Sequence, residues 1–91
     1  MFKNFIKRAK LGFKYMMISK EIQQYENIPD WAMSRETKEK VVDILERWSE
    51  LDIELAEILI AEGDEKGMEL FNVNSNLVAN TLWNYKQQLA G

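Results

Sequence analysis

The sequence predicts an all-α protein, an up-down-up three-helix bundle built on a long antiparallel helical hairpin. Three observations predict it. Apolar residues recur at helical spacing over almost the whole chain, two sharp breaks divide that pattern into three, and no alternation is long enough for a strand. Ninety-one residues suit one domain, spanning residues 1–91, with a modest margin of stability.

The first helix is expected over about residues 2–25. Leu11, Tyr15, Ile18, Ile22 and Tyr25 line one side at about 100° per residue, and Phe2, Phe5, Ile6, Ala9, Phe13, Met16 and Met17 line the other. A loop over residues 26–34 follows. In it the chain's only proline, Pro29, holds Ile28 out of helical geometry, and Asp30-Trp31-Ala32-Met33 can form a turn of its own. Ser34 then serves as N-cap to a second helix at about 35–62, with Glu36 placed to meet the helix dipole.

Val41, Ile44, Trp48, Leu51, Leu55 and Ile58 step by three and four along that second helix, the repeat of a coiled-coil seam, and Leu45 and Leu59 widen the stripe. Gly63 suits a left-handed C-cap and Asp64 a following N-cap, making a tight reversal. The third helix is expected at about 65–89 on Met68, Phe71, Ser75, Val78, Leu82, Tyr85 and Leu89. Gly67 and Asn72-Val73-Asn74-Ser75-Asn76 are poor helix formers, so a break near Asn74 is the alternative; unbroken phase favours one helix. Burial of Trp48, Leu51, Leu55, Phe71, Leu82 and Tyr85 is expected to offset the ordering entropy.

Composition narrows the function. The chain has no cysteine and no histidine, which removes disulfides, thiolate chemistry, the commonest general base and the commonest transition-metal ligand. No cofactor, metal or small-molecule substrate is implied, and the expectation is a protein that is not an enzyme. No stretch is apolar enough for a spanning helix or a signal peptide. The basic, acid-free start is conceivable as a mitochondrial presequence, but its only arginine is Arg8 and its apolar pattern continues into the body, so the expected location is cytoplasmic.

Charge is unevenly distributed. Residues 1–20 hold six bases and no acid, whereas the rest of the chain holds all 15 acids against six bases. Lys3, Lys7, Lys10 and Lys14 rim the second apolar face of the first helix. A bundle core can use only one face of that helix, so Phe2, Phe5, Ile6, Phe13, Met16 and Met17 are the candidate contact, with those lysines steering. The expected partner is another protein or a second copy of this chain as a homo-oligomer. The alternative is an anionic membrane surface, where apolar burial and head-group attraction add. Nucleic acid is the least favoured, because the acidic body repels it. The competing structural reading sets Lys3 and Lys7 against Glu57, Glu62 and Glu65 within the chain.

Other features read more plainly. Glu36, Glu39, Asp43, Glu46, Glu50, Glu54 and Glu57 form the solvated back of the second helix, with Val42, Ile53 and Ile60 a thin apolar line beside them. Asp52, at the edge of the apolar stripe between Leu45 and Leu59, is expected to be half-buried and to need a partner, a lysine from another helix being the simplest. Trp83 among Asn72, Asn76, Asn80 and Asn84 offers a secondary contact, with Trp83, Asn80 and Asn84 its centre, unless the N-terminal segment covers it.

Overall fold

A computed structural model describes the backbone of residues 2–91 and the side chains of residues 5–91. Helix α1 runs Phe2–Gln23, a 3₁₀ turn spans Asp30–Ala32, α2 runs Arg35–Glu62, and α3 runs Glu65–Ala90. α2 packs against both neighbours, forming a helical bundle whose longest dimension is 46 Å. α1 and α3 do not pack directly on one another among the described residues.

Local chemistry sets the boundaries. The Ser34 side chain accepts a hydrogen bond from the Thr37 amide at 3.1 Å, satisfying one of the four orphan donors that open α2. Gly63 closes α2 at φ 68°, a left-handed conformation that a Cβ would strain. Asp64 caps α3 by accepting from the Gly67 amide at 2.9 Å. A Cβ on Gly67 would lie 2.5 Å from Asp64 Oδ2, so a residue that is poor for helix propensity is required by the cap. α3 is unbroken through Asn74. α1 ends two residues earlier than its apolar pattern, because the chain enters turns at Ile22–Tyr25 and Tyr25–Ile28 that carry Tyr25 toward the core.

The core lies between α1 and α2. Leu11 and Ile18 from α1 meet Ile44, Leu51 and Ile58 from α2, flanked by half-buried Tyr15, Ile22, Tyr25, Trp48 and Leu55. Each large buried aliphatic contributes about 1.5–3 kcal/mol. Val41, Leu45 and Leu59 are buried on a neighbouring strip of α2. The burial expected of Phe71, Leu82 and Tyr85 is not reached: each is half-buried, and α3 contains no buried side chain. Trp48 and Leu55 are likewise half-buried. The reason is the arrangement: α3 is covered by α2 and, at Tyr85, by the segment carrying Asp30 and Met33, and α1 does not close over it.

Ion pairs tie the helices at their edges. Arg47 grips Glu21 through two hydrogen bonds of 2.9 and 3.0 Å, and Lys86 meets Glu46 at 3.1 Å. The Arg35 guanidinium donates to the Leu89 carbonyl at 2.8 Å, joining the start of α2 to the end of α3.

Candidate docking faces

The α1 face opposite the core is open. Phe5 is 72% exposed, Phe13 60%, Met16 and Met17 47% each, and Ile6 also lies in solvent. Leu11 and Ile18, half a helical turn away, are buried against α2. The side chains of Phe2 and Lys3, which the sequence reading places in the same group, lie outside the described residues. Five apolar side chains therefore sit together on a surface that the chain itself leaves uncovered.

The basic rim divides into two sets. Arg8 reaches the α2–α3 reversal, 3.4 Å from Glu62 and 3.8 Å from Asp64, and Lys14 lies 3.9 Å from Glu54. Lys7, Lys10 and Lys14 line an open cleft of ≈350 Å³ with Leu11, Glu54, Glu57 and Ile58. Lys7 thus shares a cleft with Glu57 as the intramolecular reading expects, but Glu62 is taken by Arg8. These pairs are long and solvated, worth about 0–1 kcal/mol each, so the lysines can turn to another anion at little cost.

Asp52 corrects one expectation. Its partner is not a lysine: the Tyr15 hydroxyl donates to Asp52 Oδ1 at 2.6 Å across the α1–α2 interface. Burial raises the Asp52 carboxyl above the usual carboxylate range, opposed by that hydrogen bond. Burial and the adjacent carboxylate both raise the Tyr15 phenol, holding it as a donor. Among the described residues the bases of α1 are all exposed, so none of them reaches this depth. A neutral phenol, whose ring also packs edge-on against Trp48 at 6.0 Å, satisfies the acid instead. The pair locks α1 to α2.

The outward face of α3 is the second open surface. Trp83 is 62% exposed, so the N-terminal segment does not cover it, and Asn72, Asn76, Asn80 and Asn84 are all exposed around it. Leu70, Val73 and Leu77 join them in solvent, an apolar group that the α3 packing stripe overshadows in sequence. The signal was present: these three follow the same three-four spacing as the half-buried stripe, displaced by more than a third of a turn. Ile53 and Ile60, the thin apolar line of α2, are exposed as well.

Among the described residues, no three acidic side chains are grouped so as to hold a metal ion. The titratable pair with the most perturbed environment, Tyr15 and Asp52, is engaged in packing two helices together. No described helix is long and apolar enough to cross a membrane. Compared with known proteins, the chain matches no family model, no curated protein and no solved structure.

Proposed function

We propose that this is a small non-enzymatic helical protein that works by binding another protein, as an adaptor, regulator or inhibitor, through the outward face of α1. The observation that carries this reading is the exposure of Phe5, Phe13, Met16 and Met17 on one helical face. Exposed apolar surface of this kind is costly in water and gains most when covered. Methionines give such a face an adaptable surface, and the lysines beside it orient the encounter.

The charge pattern defines the partner's chemistry. Because residues 1–20 contain no acid, a second copy docking through this same face would bring lysines against lysines. The complementary surface is an apolar groove with an acidic rim on a different protein. Affinity capture from the native host, comparing wild type with a Phe5→Asp/Phe13→Asp variant, tests it. A partner retained by wild type and lost by the variant, with salt weakening the retained complex, is the expected result. A partner bound equally by both removes α1 from the interface.

The same observation also favours a second reading, a peripheral membrane protein anchored by α1. Lysine-flanked phenylalanines match an anionic lipid surface, with the acidic remainder of the chain held away. Co-sedimentation with anionic but not neutral vesicles, diminished by salt, is its signature. Absence of vesicle binding at low salt eliminates it.

A further inference from the structure

We propose that a second copy of this chain packs along the outward seam of α3, parallel and in register, to form a two-fold dimer. The surface is separate from the α1 face and does not depend on its role. Leu70, Val73, Leu77, Asn80 and Asn84 step by three, four, three and four, and all five are exposed. α3 therefore carries two seams. The Met68–Leu89 seam lies half-buried against α2, whereas this one meets only solvent.

Charge identifies the occupant. From Leu70 to Tyr85 the chain has 16 consecutive residues without a charge, in a protein that is 30% charged. A two-fold axis brings a residue onto its own copy, so any charge on the axis meets its like. Self-contact therefore requires a charge-free seam. The stretch from Leu70 to Asn84 meets that requirement and gives an acidic partner, a basic partner or an anionic lipid no countercharge to hold; exposed Lys66, one turn before Leu70 on the same line, bounds the contact at that end. The α1 face fails the same requirement.

Layer chemistry fixes the direction. In a parallel pair Leu70, Val73 and Leu77 each meet their own copy, and Asn80 and Asn84 meet theirs. An amide carries both donors and acceptors, so two asparagines can satisfy each other, and such a layer sets register in paired helices. An antiparallel pair centred on Leu77 would place Asn84 level with Leu70 and leave Val73, one residue out of level, as the nearest seam residue to Asn80, burying amides without partners. The contact from Leu70 to Asn84 is about 21 Å long at helical rise.

The chain has no cysteine, so single introduced thiols report which residues meet. Light scattering should give a dimer mass that falls to monomer on dilution. Leu77→Glu should weaken self-association at least about tenfold, from the loss of one buried leucine per copy. Its helix content and melting temperature should match the wild-type monomer, because Leu77 is exposed. Under mild oxidation Leu70→Cys, Leu77→Cys and Asn84→Cys should each form disulfide-linked dimers, and off-seam Asn72→Cys should not. Cross-linking of Leu77→Cys alone would mean an antiparallel pair and overturn the proposal. So would a monomer mass at about 1 mM, a concentration at which even a millimolar Kd is visible. A dimer untouched by Leu77→Glu but lost in Phe13→Asp would place the self-contact on α1, and the proposal would fail.

Discussion

α1 and α3 solve the same packing problem with different completeness. Both lay a three-four apolar stripe on α2, yet α1 buries Leu11 and Ile18 while the α3 stripe is only half-buried. α1 also inserts a buried polar link, Tyr15 to Asp52, and α3 is held at its edges by Lys86–Glu46 and Arg35–Leu89. Their outward faces differ in the same measure, one apolar and basic, the other apolar, amide-rich and free of charge. The difference teaches that apolar exposure says only where contact is gained. Charge decides what can make it.

The sharpest way to break this comparison is to cut into each interface of α2. Leu51→Ala, in the α1–α2 core, should cost about 2–5 kcal/mol in denaturant unfolding. Leu82→Ala, on half-buried α3, should cost clearly less, because part of its surface is already wet. Equal losses would show that α3 is as tightly integrated as α1.

Next in size is the polar link. Tyr15→Phe leaves Asp52 buried without its donor and should destabilise by about 1–3 kcal/mol. Asp52→Asn keeps an acceptor for Tyr15 and removes the buried charge, so it should be at least as stable as wild type at neutral pH. The sign follows from the raised carboxyl: the folded state binds the proton more readily, so ionised Asp52 opposes folding at neutral pH. That opposition fades as pH falls through the folded-state value and is gone below the unfolded one. Thermal melts of the two proteins should therefore converge on acidification. Glu21 acts in the opposite sense. Its hydrogen bond to Arg47 lowers its carboxyl, giving stability present above the unfolded value and lost as pH falls through the folded one. Glu21→Gln should show a shallower loss of stability in acid than wild type.

A capping substitution comes after these. Ser34→Ala should cost about 1 kcal/mol by removing the acceptor for the Thr37 amide, read as a lower melting temperature. The smallest effect belongs to the open faces. Phe13→Asp should change unfolding free energy by no more than about 0.5 kcal/mol, since the site touches solvent. A large loss there would mean that Phe13 supports the fold and would remove the contrast between its two sides.

Much of this architecture was legible along the chain. Ser34, Gly63 and Asp64 mark helix ends by chemistry that acts within three or four residues, and each stands at the boundary it predicts. The three-four steps of α3 carried it through Asn74 despite poor local propensity. The periodicity of α1 also separated Leu11 and Ile18 from Phe5, Phe13 and Met17, and the structure buries the first pair while exposing the other three. What periodicity could not provide was depth. A stripe reads alike whether one helix covers it or two, which is why Phe71, Leu82 and Tyr85 looked like core and are half-buried.

The sequence by itself determined the three helices, their caps, and which side of α1 turns inward, because these follow from backbone geometry and turn angle between near neighbours. Only the tertiary structure decided that Tyr15 answers Asp52 and that α3 stays open behind α2. Those outcomes depend on the relative placement of segments tens of residues apart. Local spacing along one helix sets its face, but the distance and angle to another helix set what that face meets.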